Sequence, residues 1–378
     1  MAALSEKSFG VKYGTYAFKK PQTEFTYTPY GLKVRGTTYL AGRERFVHQG
    51  DDVYLNLWSG GDVVPIKGKW PTIAAHFEFI FENPEKRKHW YDYFACKLQK
   101  RHVKIKHVLL LTGQQGTGKS FFSQLLKHLL GQANVRTVDN NQIRSEFNSG
   151  MVNTELVEFE EIMAGGQVET ENTLKPFISE NTVMCNEKHL PRFEAKTPLA
   201  FIAFSNYRKC INLSEGERRW HVVNSNAVPV TEPVDYYDKL FASIQTEGPA
   251  FMYYLMYEHD LVGFNPNAAP PMTEAKQNLI HRSFTPVRAA LTELFEGGHP
   301  LAHKDIVSSA QLDMYLSGCP NVSPRSREPR NVSDTLKQMG AVPLGQRMVK
   351  GLRHSLWIIR NQEKWSQATS EAIRKEFN

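Results

Sequence analysis

The segment Gly113-Gln114-Gln115-Gly116-Thr117-Gly118-Lys119-Ser120 has residue types and spacing suited to holding a polyphosphate. Glycines let the backbone curl until successive N–H groups point at one anion. A helix starting at Lys119 adds the partial positive charge of its N-terminus. In such a loop Lys119 is expected to reach the β and γ phosphates, and Ser120 to offer its hydroxyl to magnesium. Gly113, Gln115, Gly116, Thr117, Gly118, Lys119, Ser120 and Phe121 are the expected contacts to ATP. A glycine turn with no ligand can match so short a motif, so the flanks decide. An apolar run, His107 to Thr112, leads in, and Phe122, Leu125, Leu126, Leu129 and Leu130 then repeat at helical spacing up to Gly131.

Hydrolysis needs an acid at the end of a neighbouring strand. Leu156-Val157-Glu158-Phe159-Glu160-Glu161 supplies one, with Glu160 expected to hold magnesium and Glu161 to polarise the attacking water. Strand alternation should turn Glu158 away from the nucleotide. A second apolar run, 198–205, ends in Asn206, whose amide would sense the γ-phosphate or orient the water; Asn is also an ordinary turn residue. Glu217-Arg218-Arg219-Trp220 follows. Its paired arginines fit either a surface ion pair or an arginine finger reaching a neighbouring subunit's site.

These residues need a sheet to position them. Apolar strands at 107–112, 156–159, 198–205 and 221–223 alternate with helical stretches, which predicts an α/β fold with a mostly parallel sheet. Before them, 23–70 reads as short strands with a turn at Gly50-Asp51, and Pro84 opens a helix with Trp90, Phe94 and Leu98 on one face. After them come an aromatic-rich helical segment, 236–261, and a Pro/Asn-rich linker, 265–271. The last hundred residues read as helices near 286–296 and 304–316, a short helix capped by Ser333 and ending at Gly340, and a hairpin turning near Gly351, a winged-helix-like order. The expected division is 1–82, a β-rich accessory region; 83–230, the ATPase core with a leading basic helix at 83–106; 231–282, a helical extension and linker; and 283–378, a basic C-terminal module.

The chain has 378 residues, 41% hydrophobic and 22% charged, the balance of a folded protein rather than a disordered one. Its four cysteines are widely spaced with no CxxC pair, which argues against a thiolate zinc site and a disulfide scaffold and fits a reducing cytoplasm. No run reaches the length of a membrane span. The net charge of +7 is concentrated: residues 86–107 hold eight Lys/Arg against one Asp, and 321–378 hold eleven against five acids. Such clusters point to nucleic acid unless they are merely solvated helix faces.

Taken in order, the phosphate loop, the Glu-Glu strand end, Asn206 and the Arg-Arg pair resemble a superfamily 3 helicase. Within that superfamily the chain is similar to the helicase portion of phage and plasmid primase-helicases, related to the poxvirus type. The phrases GQQGTGKS, SEFNSGMVNTELVEFEE, LKPFISENTVMCNEKH, IAFSN and ERRW carry the likeness, which runs from about residue 30 and is strongest over 84–225. The resemblance implies a modified AAA+ ATPase using ATP and Mg2+, ring hexamers with sites at subunit interfaces, and movement on single-stranded DNA. It implies a channel hairpin near CNEKHLPRF, with Lys188 and His189 at the DNA-contacting positions and Lys175 near nucleotide or subunit contacts. The first metal acid of such proteins is often Asp, whereas Glu160 stands here. Family members often carry a primase or polymerase domain upstream. The region before the basic helix reads as too short for one, so the chain is expected to be a helicase module, either natural or cut from a longer protein, acting in the host cytoplasm, with a primase or polymerase as a further partner and no membrane. The competing readings are a P-loop NTPase or kinase acting without nucleic acid, and a DNA-binding assembly ATPase that does not unwind.

Overall fold

The structure, a computed structural model, describes residues 34–144, 149–162, 169–186 and 191–377. The chain divides into two units, 1–280 and 281–378. The first begins with a small sheet of β1 (Gly36–Thr38), β2 (Phe46–Gln49) and β3 (Asp52–Asn56), with β3 in the middle. The β2–β3 turn falls at Gly50-Asp51, as the sequence predicts, with Gly50 at φ 61°. Residues 23–33 of the stretch read as short strands lie outside the described residues.

Helix α1 (Pro71–Ile80) falls inside the region expected to be β-rich. It starts at a proline and buries Ile73, His76, Phe77 and Ile80 at helical spacing. Helix α2 (Pro84–Gln99) is capped by Asn83, whose side chain accepts from the Glu85 and Lys86 amides, and it ends seven residues short of the basic helix expected through 106.

The centre of the first unit is a five-stranded sheet. It comprises β4 (Val108–Thr112), β5 (Val135–Val138), β6 (Leu156–Phe159), β9 (Ala200–Ser205) and β10 (Trp220–Asn224). The strand order is β10-β4-β9-β6-β5 and every pairing is parallel, which bears out the expected α/β class. β4, β6 and β9 are buried at every position, as a parallel sheet covered on both faces requires. Helix α3 (Ser120–Leu130) follows β4, and α4 (Glu169–Ser179) precedes an antiparallel pair, β7 (Thr182–Cys185) and β8 (Phe193–Lys196). Helices α5 (Tyr236–Thr246) and α6 (Gly248–Tyr253) complete the unit's apolar packing. Phe122 of α3 meets Phe77, Phe81 and Trp90 at ring-centroid distances of 4.9, 5.4 and 5.5 Å. Burying each such Phe contributes about 1.5–3 kcal/mol, which ties α1 and α2 to the helix that follows the phosphate loop.

Much of the basic run at 86–107 turns inward, contrary to its reading as a DNA-facing or solvated surface. Lys97 is buried and donates to the carbonyls of Arg101 and Val103. Arg101 binds the fully buried Glu155 through Nε at 3.0 Å and Nη2 at 3.1 Å, and Trp58 Nε1 donates to the same carboxylate at 3.0 Å. Lys104 donates to Phe177 O, Thr197 Oγ1 and Pro198 O at 2.7, 2.8 and 2.6 Å, and burial pushes its pKa down to about 7. Lys88 pairs with Asp92 at 2.8 Å. Lys88, by contrast, is exposed and its pair lies within α2, whereas Lys97, Arg101 and Lys104 pin loops to the sheet because buried charge must be paired or hydrogen-bonded.

In the second unit, α7 (Pro286–Glu296), β11 (Ile306–Ser308), α8 (Ser309–Ser317), α9 (Pro329–Gln338), β12 (Val342–Val349) and β13 (Leu352–Ile358) enclose a separate core around Leu291, Leu312, Leu336 and Trp357. The hairpin turns at Lys350-Gly351, both at positive φ, where the sequence predicts it. Ser333 is not a cap: Glu328 precedes a Pro329 start, four residues earlier, and Gly340 ends the segment at φ 86°. Strand β11 was not expected; it closes the sheet against β13. Among the described residues no helix is long and apolar enough to cross a membrane.

Buried histidines make the first unit acid-sensitive. Burial holds His76 and His89 down to about 4, and burial together with neighbouring charge holds His107 and His221 well below the usual imidazole range. Unfolded imidazoles titrate near 6.5, so below that pH the unfolded chain binds protons that the folded chain excludes. This stability is fully present above about pH 6.5 and declines as pH falls toward 4. Urea midpoints measured at pH 7.5, 6.0 and 5.0 should fall in that order; a constant midpoint would contradict it. Glu155→Ala should cost about 3–5 kcal/mol in the same assay at pH 7.5, because it leaves Arg101 and Lys97 buried without their carboxylate.

Candidate nucleotide-binding site

Parallel pairing puts the ends of β4, β9 and β6 side by side: Thr112 pairs with Ser205, and Phe159 with Ala203. The phosphate loop leaves β4 at this edge, Asn206 leaves β9, and Glu160-Glu161 leave β6. Gly113 N donates to Ser205 O at 3.2 Å, and Ser225 N to Thr112 O at 2.7 Å, so the loop base is sewn to both neighbouring strands.

The loop is curled as its glycines predict, with Gly116 and Gly118 at φ 81° and 85°. A Cβ on Gly118 would stand 2.8 Å from His76 Cε1, and one on Gly113 3.2 Å from Ser225 Cβ. His76 lies behind the loop with Nε2 3.2 Å from Gly118 O. Its depressed pKa keeps the ring neutral, so Nε2–H donates to that carbonyl and Nδ1 is left to accept from Tyr236 Oη at 3.4 Å. The sequence reading missed His76; its signal was the helical spacing of Ile73, His76, Phe77 and Ile80.

Lys119 Nζ donates to Gly113 O at 2.9 Å, Gln114 O at 2.7 Å and Asn206 Oδ1 at 2.9 Å. The Asn206 amide passes the link on, with Nδ2 donating to Glu161 Oε1 at 3.2 Å. Three of the predicted residues are thus joined by one hydrogen-bond chain across three strand ends. Burial lowers the Lys119 pKa, and the charge of Glu161 opposes that shift. Glu161 sits at φ 48°, a conformation that costs a non-glycine residue about 1–3 kcal/mol and clusters at functional sites. Asn140 Nδ2 holds its carbonyl at 2.8 Å.

Other predicted residues divide. Gln115, Ser120 and Glu160 are exposed at this edge, with the Ser120 hydroxyl at the first turn of α3. Thr117 is fully buried and its hydroxyl donates to Gln114 O at 3.0 Å, so its side chain braces the loop. Phe121 points its ring into the core, 5.0 Å from His76, and gives its amide to Gly118 O. Lys175 pairs with Glu171 at 2.8 Å, within its own helix. Glu158 is buried and bonded to Lys127 of α3 at 2.5 Å, so its carboxylate is already committed. Lys188 and His189 lie outside the described residues; β7 and β8 on either side pair as a hairpin's arms do.

Arg218 and Arg219 are not brought to this edge. Trp220 pairs with Val108 at the start of β4, and a five-residue strand separates that end from the loop by about 15 Å. Arg219 is committed to Ser179 Oγ at 2.6 Å and to both Glu217 oxygens at 3.3 Å. Arg218 is exposed and has no hydrogen bond or ion pair among the described residues. A cleft of about 910 Å3 lined by Gln124, Lys127, Phe241 and Ile244 lies along α3 and includes none of residues 113–120.

Residues 111–219 match a protein family described as a family of unknown function, DUF5906. Those limits run from the end of β4 to Arg219 and enclose every site residue predicted from the sequence, but not His76 behind the loop. Over 122 residues the chain is 28% identical to a DNA primase-polymerase of Nitratiruptor phage NrS-1; the match takes in 32% of this chain and 17% of that protein. An apo structure of the NrS-1 C-terminal region superposes with a TM-score of 0.69 at 17% identity, over 89% of each chain. An A-form apo structure of the same region gives 0.69 and 17% over 93% of this chain and 90% of the other. The two chains share a fold.

The packing behind the loop is open to test. Gly118→Ala adds a Cβ against His76 and should cost about 1–3 kcal/mol beyond backbone strain. Gly216, at φ 77° with open space around it, isolates that strain: Gly216→Ala should cost only about 1–2 kcal/mol. Equal losses in thermal denaturation would contradict the close approach of His76.

Proposed function

We propose that this chain is the ATP-hydrolysing motor of a phage DNA-replication protein, a superfamily 3 type ring that moves on single-stranded DNA. The observation that carries the reading is the chain Lys119–Asn206–Glu161, which links a phosphate cation, a polar amide and a general base across three adjacent strand ends. Similarity to a phage primase-polymerase supports the replication setting. The strand order supports an AAA+ core, because β9 between β4 and β6 is what gives Asn206 its place. The helix, strand and hairpin order of the second unit supports a winged-helix-like module.

The chemistry follows from the side chains. Loop amides and Lys119 bind the β and γ phosphates, and the γ-phosphate draws Lys119 from the loop carbonyls it now bonds. Asn206 stays within reach of that phosphate and keeps Glu161 oriented, and Glu161 takes the proton of the attacking water. Exposed Ser120 and Glu160 would hold magnesium, which when bound neutralises phosphate charge. The transition state still needs a cation. Arg218 is uncommitted but stands at the opposite end of the sheet, so it serves a neighbouring copy's site rather than its own. Arg219 positions the Arg218 loop. Lys188 and His189 supply the grip on DNA, with a primase or polymerase as partner.

Lys119→Ala should lower ATP turnover by about 100-fold or more, with the fold intact by circular dichroism. Turnover like the wild type's would sink the phosphate assignment. Arg218→Ala and Glu161→Gln should each be inactive alone, and mixing them should restore part of the turnover through interfaces that pair an intact arginine with an intact glutamate. A mixture as inactive as its components would contradict the shared site.

A further inference from the structure

One histidine behind the phosphate loop is engaged at both ring nitrogens. His76 of α1 is fully buried, with Nε2 3.2 Å from Gly118 O and Nδ1 3.4 Å from Tyr236 Oη at the start of α5. Burial keeps the ring neutral, so only one nitrogen carries a proton. A carbonyl can only accept, so that proton is on Nε2 and Nδ1 takes the Tyr236 hydroxyl. Tyr236 thereby selects the tautomer that donates to Gly118. Gly118 O also accepts from Phe121 N at 3.0 Å, so both of its lone pairs are engaged.

The consequence falls on the next amide. A trans peptide is planar, and its N–H points opposite to its C=O. With the Gly118 carbonyl held back against α1, the Lys119 N–H is turned away from α1, as an amide that cradles phosphate must be. Glycine leaves that peptide free to rotate at little cost, so the restraint has to come from its neighbours. Phe121 N–H supplies one from within the helix, and His76 supplies the other from outside it. The 229–237 segment closes the same side: Tyr237 Oη accepts from Val230 N at 3.0 Å, and a Cβ on Gly118 would stand 3.3 Å from Tyr237 Cε1. The His76 ring also packs on Phe121, Phe122 and Phe79 at centroid distances of 5.0, 5.3 and 5.9 Å. Packing alone accounts for an aromatic ring at this position, but not for two hydrogen-bonded nitrogens.

We propose that Tyr236 and His76 form a hydroxyl–imidazole relay that fixes the Gly118–Lys119 peptide and so presents the Lys119 amide to the polyphosphate of a bound nucleotide. This rests on the nucleotide reading above and adds what sets the loop's affinity. His76 acts through Gly118, and Tyr236 through His76, so both are positioning residues. They belong to α1 and α5, outside residues 111–219, so the segment that matches the family model does not carry the complete polyphosphate grip by itself.

The test is the affinity of the full chain for a fluorescent ATP analogue with magnesium, read by anisotropy beside the thermal midpoint of each variant. His76→Phe keeps a ring among Phe79, Phe121 and Phe122 but removes the donor, and should weaken binding about tenfold. His76→Gln places an amide nitrogen where Nε2 stands. It should bind within about threefold of wild type, yet melt below His76→Phe because the ring packing is gone. Affinity and stability should therefore run in opposite orders, whereas a merely packing role moves them together. Tyr236→Phe, at a partly buried position, should weaken binding about threefold with little change in midpoint, and it carries the test if His76→Phe folds poorly. Wild-type affinity in a folded His76→Phe or in Tyr236→Phe overturns the relay, as does His76→Gln binding no better than His76→Phe. Those outcomes leave the nucleotide site standing; a wild-type chain that does not bind the analogue defeats the nucleotide reading itself.

Discussion

Five strands running in one direction impose a polarity on everything attached to them. Each strand in the central sheet delivers its C-terminal residue to the same edge and its N-terminal residue to the other. The phosphate loop, Asn206 and Glu161 follow strands, so they collect at one edge and bond to each other. Arg218 and Arg219 precede a strand, so they stand at the opposite edge. No side-chain rotation changes this. On the proposed function a complete site takes one copy's loop and another copy's arginine, and Arg219 is already bonded to Ser179 and Glu217 while Arg218 has no such bond among the described residues.

The same constraint explains where the charge goes. A sheet buried on both faces needs its loops tied down without water, and lysine and arginine reach far enough to do it. Lys97, Arg101 and Lys104 spend their donors on carbonyls, a hydroxyl and Glu155. A run of eight cations that looks like a nucleic-acid surface is thus in good part internal scaffolding, and Lys104 holds the segment just after β8 against α4. Net charge indicates a partner class; burial decides which cations are free to meet it.

Legibility in the sequence followed locality. The loop was readable because its curled backbone requires glycine at fixed offsets, with Gly116 and Gly118 at positive φ, and the strands because a doubly covered parallel sheet demands unbroken apolar runs. The N-terminal helix was missed because Pro71, Ile73, Phe77 and Ile80 were read with the β-branched stretch before them. His76 behind Gly118, the burial of Lys104 and the Arg219–Ser179 bond depend on residues 42, 73 and 40 positions apart in the chain coming together, which no window of sequence displays. Thr117 and Phe121 matched the motif, but their side chains brace the loop and core; motif membership does not say which atoms face the ligand.

The central claim is that the Lys119–Asn206–Glu161 edge binds nucleotide. Titration of a fluorescent ATP analogue with magnesium, followed by anisotropy, tests it without requiring turnover, DNA or a second copy. The account predicts saturable binding by the wild type, weakened about tenfold or more in Lys119→Ala and retained in Arg218→Ala. Equal affinity in the wild type and Lys119→Ala, or no binding by either, would contradict it.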